Sequence, residues 1–241
     1  MKYCILGPLA VTDHGRSVAP TAPKTASVLA TLLTRANDFV STETLMEEIW
    51  GEVAPASAGT TLQTYIYQIR CALGRATIET RVGGYVLPVQ DGELDLLRFR
   101  ALVCDGRDHL EQGRPDQASV DFRAGLALWR GRPLSNVRIG HVLQPYLAHL
   151  EEERRQVAEL CVQAAFAAGR HREVIGEIRL LIADDPYNEW LHARLIEALS
   201  RSGRRREALL AYESLRKLLA DNLGLDPMLE LRELELQVLQ C

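Results

Sequence analysis

A stretch in the first third of the chain, residues 53–69, contains no Asp, Glu, Lys or Arg, although 25% of the protein is charged. At helical spacing it carries amide and hydroxyl groups instead, and the side chains aimed to one side are Thr60, Thr64, Tyr67 and Gln68, with Gln63 and Arg70 beside them. Gln can form two hydrogen bonds with adenine, Thr and Tyr can contact thymine methyl groups or phosphates, and Arg can reach guanine or a phosphate. Such a set could bind the base edges of a DNA major groove without a charged face.

The segment TTLQTYIYQIRCALG, residues 60–74, is predicted to form the helix that positions these groups. It repeats apolar residues on one face, namely Leu62, Ile66, Ile69 and Leu73, and Gly74 is a typical helix end. A polar surface helix of a small domain is the alternative interpretation. The next segment, TIETRVGGYVL, contains two β-prone runs around a Gly pair, which predicts a hairpin and favours DNA binding.

The preceding residues predict two short strands and two further helices. KYCILGPLAV and RSVAP are typical of strands, and KTASVLATLLTRAN predicts a helix that stops at Asn37. Ser41 is a suitable cap for the helix TETLMEEIW, which Gly51 would end. Strands, three helices and a hairpin, in this order, indicate a winged helix-turn-helix, in which the third helix enters the major groove.

The rest of the chain is predicted to be helical and repetitive. AAFAAGRHREV (164–174) and ALSRSGRRREA (198–208) align at a spacing of 34 residues, the tetratricopeptide period, and HLEQGRPDQA (109–118) is a looser copy. Stacked helical hairpins of this kind typically bind a protein or peptide. The predicted fold is therefore mainly α with a small β component, divided near PVQDGE into residues 1–90 and 91–241.

Composition and motifs exclude several other classes. A net charge of -4 over 241 residues argues against a protein that coats nucleic acid non-specifically. Because the sequence contains no GxSxG, P-loop, HExxH or GxGxxG pattern, we predict no catalytic site, no enzyme activity and no cofactor. The five cysteines form no CxxC pair and the histidines lack metal-ligand spacing, so no metal site is expected. Without a signal peptide or membrane segment, a cytoplasmic location is expected.

Two features have a structural interpretation that competes with a functional one. The run RSGRRRE (201–207) could bind phosphate, but it falls on a predicted turn between helices, which favours a solvated turn. Trp129 and Trp190 could stack on a ligand, yet aromatic residues within a helical array are more often part of the core.

Nearly the whole chain resembles the Streptomyces antibiotic regulatory protein (SARP) family of transcriptional activators. The segments that carry the resemblance include ILGPLAV (5–11), LMEEIWG (45–51), TLQTYIYQIRCALG (61–74), TRVGGYVL (80–87), LALWRGRPL (126–134) and LGLDPMLELRELE (223–235). The resemblance implies an OmpR-type winged helix-turn-helix followed by an all-α, tetratricopeptide-like bacterial transcriptional activation domain. It also implies a tandem dimer on direct repeats in promoter DNA of antibiotic gene clusters, and recruitment of RNA polymerase.

The resemblance also assigns residues. The recognition helix of the family matches at Thr61, Gln63 and Arg70, and its wing matches at Thr80, Arg81 and Gly84. The complete set expected to bind DNA is Thr60, Thr61, Gln63, Thr64, Tyr67, Gln68, Arg70, Thr80, Arg81 and Gly84. In OmpR-type domains the loop between the second and third helices faces the polymerase. This implies that Glu47, Glu48 and Glu52 attract basic residues of the sigma factor or another polymerase subunit.

Two alternatives to a DNA-binding activator stay open at this stage. The chain could be a tetratricopeptide interaction module that uses its winged helix as a docking platform for a partner protein. It could also be a ligand-gated regulator, because stacked helices can enclose a pocket, although nothing in the sequence locates one.

Overall fold

The computed structural model describes residues 1–74 and 77–240 and contains two compact units. The first unit comprises Met1–Asp105 and Arg123–Arg155. The second comprises Gly106–Phe122 and the chain from Gln156 onward. Each unit has its own buried core.

The first unit begins with a small antiparallel sheet. Its strands are β1 (Lys2–Cys4), β2 (Ala10–Asp13) and β3 (Arg16–Ser17), in the order β1-β2-β3. Tyr3 and Val11 lie opposite each other in the register, and both side chains are buried. The two predicted strand regions are therefore confirmed, the first as a pair of strands.

Helix α1 (Pro23–Thr34) starts with Pro at its first turn, where a missing N–H costs nothing. It ends three residues before the predicted stop at Asn37. Asn37 adopts a left-handed conformation, with φ of 70°, and its side-chain oxygen accepts a hydrogen bond from the Val89 N–H at 2.8 Å. The short polar side chain of Asn tolerates this conformation and here ties the turn to the later segment.

Helix α2 (Thr42–Trp50) forms as the sequence predicts. The Ser41 hydroxyl accepts a hydrogen bond from the Thr44 N–H at 3.0 Å, which satisfies one of the free amides at the helix start. Gly51 ends the helix with a positive φ of 66°, a conformation that favours glycine.

Helix α3 (Ala58–Leu73) is followed by the predicted hairpin. The strands β5 (Glu79–Arg81) and β6 (Gly84–Val86) pair antiparallel, and β4 (Val40–Ser41) adds to β6 to give the order β4-β6-β5. Strands, three helices and a hairpin thus form the expected winged helix-turn-helix.

The two compact units do not divide at residue 90, the position of the domain boundary predicted from the sequence. Helix α4 (Asp95–Glu111) begins in the first unit, where the Asp95 carboxylate accepts hydrogen bonds from the backbone N–H groups of Ile5 and Leu6. Its burial raises the pKa of this carboxyl group. Farther along, Asn136 accepts a hydrogen bond from the Leu9 N–H at 2.6 Å. Residues 91–105 and 123–155 therefore complete the first unit, because they satisfy backbone groups of its N-terminal sheet.

The remaining helices carry the predicted repeat. They are α5 (Pro115–Leu126), α6 (Leu143–Ala167), α7 (His171–Asp184), α8 (Glu189–Arg201), α9 (Arg205–Leu223) and α10 (Leu229–Gln240). Gly169 and Gly203, one repeat apart, lie in inter-helix turns with positive φ of 71° and 74°. Ala164 and Ala198, also one repeat apart, are both fully buried. The run 201–207 surrounds the second of these turns, and Trp129 is buried, as the structural interpretation of each predicted.

Candidate nucleic-acid interface

Helix α3 has one buried and one exposed face. The predicted apolar row is buried, and it consists of Leu62, Ile66, Ile69 and Leu73. The uncharged polar side chains on the other face are exposed, and these are Thr60, Gln63, Thr64, Tyr67 and Gln68. A hydrogen bond with the Cys71 side chain raises the pKa of the exposed Tyr67 phenol. The face therefore offers hydrogen-bonding groups without a fixed charge.

The hydroxyl groups on this face are partly engaged within the helix. Thr61 donates to the Ser57 carbonyl at 2.9 Å, and Thr64 donates to the Thr60 carbonyl at 3.1 Å. Their oxygens retain free lone pairs, so they can still accept a hydrogen bond from a base or a ligand.

The two glutamines differ in their freedom. The Gln68 side-chain oxygen accepts a hydrogen bond from the Thr25 hydroxyl of α1 at 2.9 Å, which leaves its NH₂ group available as a donor. Gln63 is exposed and has no hydrogen-bond partner within residues 1–74 and 77–240. Gln63 therefore offers the complete amide that bidentate pairing with adenine requires.

Arg70 is occupied by the wing. Its guanidinium donates to the Ile78 carbonyl from Nε at 3.2 Å and from Nη2 at 2.7 Å, and Nη2 also donates to the Thr80 hydroxyl at 2.8 Å. The family resemblance implies that Arg70 and Thr80 contact DNA. In the structure the two side chains contact each other and fasten the start of β5 to α3.

The tip of the wing is fastened to α2. The Gly83 carbonyl accepts hydrogen bonds from the Thr42 N–H at 2.9 Å and from the Thr42 hydroxyl at 3.1 Å. Beside it, the Val82 side chain is fully exposed. No sequence pattern predicts the contact of Thr42, whereas the position of Val82 beside the Gly pair is typical of an exposed turn.

Gly84 is buried, which corrects the expectation that it contacts DNA. A Cβ atom at this position would lie 2.2 Å from the Val40 carbonyl oxygen and 2.7 Å from the Phe39 ring. Glycine is thus required here for the close pairing of β4 with β6. The glycine lets the wing strand β6 pair closely with β4. Because Gly84 is buried in this pairing, it is not available to contact a ligand.

Arg81 is the exposed cation of the wing. Its guanidinium pairs with the exposed Glu79 carboxylate of the same strand, at 2.5 Å between Nη2 and Oε2. An exposed pair of this kind contributes little to stability, so Arg81 can exchange Glu79 for a phosphate at small cost.

Replacing Arg81 with Ala is expected to weaken binding to specific and non-specific duplexes to a similar extent. The dependence of log K on log salt concentration should become shallower by about one unit, since one phosphate contact is lost. Fluorescence anisotropy at several salt concentrations measures both quantities. Glu79→Ala is the matched control and should not weaken binding. A loss confined to the specific site would indicate that Arg81 contacts bases.

The three acidic residues near the end of α2 occupy different environments. Glu47 and Glu52 are exposed. Glu48 is buried, at 4% exposure, and its carboxylate accepts hydrogen bonds from three backbone N–H groups, those of Gly140 at 2.5 Å, Val142 at 3.0 Å and Leu143 at 2.9 Å. The expectation of an exposed polymerase contact is therefore wrong for Glu48. Its carboxylate instead accepts hydrogen bonds from backbone N–H groups that have no partner within the helix at the start of α6.

Residues 1–74 and 77–240 contain no group of three or more His, Cys, Asp or Glu side chains that could hold a metal ion. Cys4, Cys71 and Cys104 are free thiols, and Cys241 lies outside these ranges. No helix in the described ranges is long and apolar enough to cross a membrane.

Two protein families match the chain, one on each side of the segment near residue 90. The family described as "Transcriptional regulatory protein, C terminal" matches residues 16–87, which include α3 and the wing. The family described as "Bacterial transcriptional activator domain" matches residues 94–239.

Individual relatives agree with these matches. Regulatory protein DnrI of Streptomyces peucetius is 39% identical, over all of this chain and 93% of its own length. Transcriptional regulatory protein EmbR of Mycobacterium tuberculosis is 35% identical, and regulatory protein AfsR of Streptomyces coelicolor is 34% identical. The chain spans only 63% of EmbR and 24% of AfsR. All three are named as regulatory proteins, and EmbR is named as a regulator of transcription.

A solved structure shares the fold. Mycobacterium tuberculosis EmbR, in complex with a low-affinity phosphopeptide, superposes with a TM-score of 0.91 at 33% identity, over 99% of this chain and 65% of EmbR. The family matches, the extent of the DnrI similarity and this superposition agree. The chain therefore belongs to the Streptomyces antibiotic regulatory protein family of transcriptional activators.

Proposed function

We propose that the protein activates an antibiotic or other secondary-metabolite gene cluster by binding direct repeats in its promoters. The observation that carries this proposal is the exposed, uncharged face of α3, with the unpartnered Gln63 amide on it and a wing fastened to the same helix by Arg70. A helix with such a face fits the major groove, where amide and hydroxyl groups distinguish bases. The similarity to DnrI and AfsR supports the link to a biosynthetic cluster.

Two protomers are proposed to bind in tandem. Direct repeats have no twofold axis, so the protomers lie head to tail, with their α3 helices in major grooves about one helical turn, or 10–10.5 base pairs, apart. Footprinting on the DNA upstream of the neighbouring genes tests this arrangement. Protection of two directly repeated half-sites is expected. Protection of an inverted repeat, or no protection, would contradict the proposal and favour a docking role for the winged helix.

Glu47 and Glu52 are proposed to contact RNA polymerase. Both are exposed, and they flank the end of α2, where a negative charge does not stabilise the helix dipole. The loop that follows, residues 52–57, is exposed throughout. These carboxylates do not stabilise the helix, and attraction to basic residues on the sigma factor would explain why they lie here.

Replacing Glu47 and Glu52 together with Lys should leave promoter binding intact and lower activated transcription in vitro. Transcription is compared at equal promoter occupancy, as measured by footprinting. Glu230 and Glu233 on α10, both exposed, provide the charge-matched control double variant. If only the control double variant loses activation, the polymerase contact lies on the helical repeats and the assignment to Glu47 and Glu52 is wrong.

A further inference from the structure

A cavity of about 230 Å³ lies in the first unit, beside the end of α2. Three parts of the chain line it: the start of α1, the end of α2 and residues 138–141. The side chains that matter for its chemistry are those of Lys24, Trp50, Arg138 and His141. Neither the proposed DNA contacts of α3 and the wing nor the proposed polymerase contact of Glu47 and Glu52 uses this cavity.

Two cations in the lining have no acidic partner. Lys24 places its Nζ over the Trp50 ring, 5.1 Å from the centroid, and forms no ion pair within the described ranges. The Arg138 side chain is exposed and likewise has neither a hydrogen bond nor an ion pair to residues 1–74 or 77–240. Several arginines of the helical repeats differ in this respect, since they pair with a neighbouring Glu, as Arg204 pairs with Glu207.

The one carboxylate in the lining, that of Glu48, cannot serve these cations well. Its two oxygens already accept hydrogen bonds from the N–H groups of Gly140, Val142 and Leu143. The backbone that bears Arg138 is also fixed, because the Arg138 carbonyl accepts a hydrogen bond from the Ser27 hydroxyl at 2.7 Å. Within the described ranges the cavity therefore holds two cations without an acidic partner, and a hydrogen bond fixes the backbone of one of them, Arg138.

We propose that this cavity binds a phosphate group. A guanidinium presents two parallel N–H donors that match phosphate oxygens, a lysine ammonium adds a point charge, and the His141 ring can donate a further N–H. Phosphate is favoured over carboxylate ligands because the lining contributes three possible donor side chains, those of Lys24, Arg138 and His141, and a phosphate group offers more acceptor oxygens.

The cavity is next to α3, which identifies one source of such a phosphate. Trp50 stacks on Tyr65 of α3, with ring centroids 6.3 Å apart. Thr25, which follows Lys24, donates to Gln68 of α3. A DNA backbone phosphate beside the groove is therefore one source, and this source rests on the proposed function. A small phosphorylated molecule is the other source, and it does not require DNA.

The first experiment titrates ¹⁵N-labelled protein with pyrophosphate, against sodium chloride of equal ionic strength, and follows the amide resonances of residues 139–142. Saturable shifts are expected. Arg138→Gln or Lys24→Gln should weaken pyrophosphate binding about tenfold, since each removes one charge-assisted contact. Arg132→Gln is the matched control, because Arg132 is exposed in the same segment but does not line the cavity, and it should bind like the parent. The spectra also report whether each variant is folded.

The second experiment measures the salt dependence of duplex binding for the parent, Arg138→Gln and Arg132→Gln. If the phosphate belongs to DNA, Arg138→Gln alone should lower the salt slope by about one unit. Pyrophosphate binding that depends on Arg138, with an unchanged slope, assigns the cavity to a small phosphorylated ligand. The proposal is overturned if pyrophosphate gives no Arg138-dependent saturable shift and the slope is also unchanged. If the parent binds no DNA, the proposed function fails and the pyrophosphate titration alone decides.

Discussion

Replacing Glu48 with Ala is expected to lower the free energy of unfolding of the first compact unit by about 2–4 kcal/mol. The carboxylate accepts hydrogen bonds from three backbone N–H groups at the start of α6, and its side chain is buried. Removing it leaves these partly buried amides without their acceptor, and the cost of an unsatisfied buried donor exceeds the gain from forming its bond. Urea denaturation followed by tryptophan fluorescence measures the change.

Hydrogen exchange shows where Glu48→Ala destabilises the first unit. Glu47→Ala is the control variant. Exchange of the Gly140, Val142 and Leu143 amides should accelerate in Glu48→Ala relative to other amides of the unit. Glu47 is next in sequence but exposed, so its replacement should change stability by no more than about 0.5 kcal/mol. Equal stability of the two variants would show that water replaces the carboxylate without cost.

Replacing Arg70 with Ala is expected to weaken specific DNA binding by about 1–3 kcal/mol. The reason is indirect, because the guanidinium holds the Ile78 carbonyl and the Thr80 hydroxyl and so fixes the wing relative to α3. Arg70→Lys should rescue little of the loss, since an ammonium lacks the planar fork that bridges both acceptors. Thr80→Val removes one acceptor and leaves the Ile78 contact, so its effect should be smaller.

A structural readout separates positioning from direct contact. Amide exchange in Glu79–Arg81 should accelerate in Arg70→Ala without DNA, because the strand β5 loses its link to α3. If affinity falls while exchange in β5 is unchanged, Arg70 contacts DNA directly and the positioning role is wrong.

Local patterns predicted most of the winged helix. The spacing of Leu62, Ile66 and Ile69 was sufficient to divide α3 into a buried and an exposed face, because a helix repeats every 3.6 residues. The Ser41 cap and the Gly51 end of α2 were likewise visible, because both depend on residues within one turn. The 34-residue repeat predicted the turns at Gly169 and Gly203, because the two glycines occupy equivalent positions in the aligned copies.

Contacts between residues far apart in sequence account for the features of the structure that differ from the sequence-based predictions. Glu48 looked like an exposed acid at a helix end, and nothing near it in sequence indicates that residues 140–143 bury its carboxylate. Asp95 similarly gave no local sign that it holds the Ile5 and Leu6 amides, which is why the first compact unit extends beyond residue 90. Gly84 was assigned to DNA from resemblance alone, whereas the close approach of Val40 explains the glycine. Arg70 could not be distinguished from a base-contacting residue without the position of the wing.

We propose that the exposed face of α3 distinguishes DNA sequences. Replacing Gln63 tests this most directly, because its amide is exposed and has no hydrogen-bond partner in the described part of the chain. The decisive measurement is fluorescence anisotropy of the parent and Gln63→Ala on the footprinted promoter site and on a scrambled duplex, at one salt concentration. We expect Gln63→Ala to lose about 1–3 kcal/mol on the promoter site and to bind the scrambled duplex like the parent, since the change removes a base contact and no phosphate contact. Unchanged affinity for both duplexes, or an equal loss on both, would contradict base recognition by this helix face.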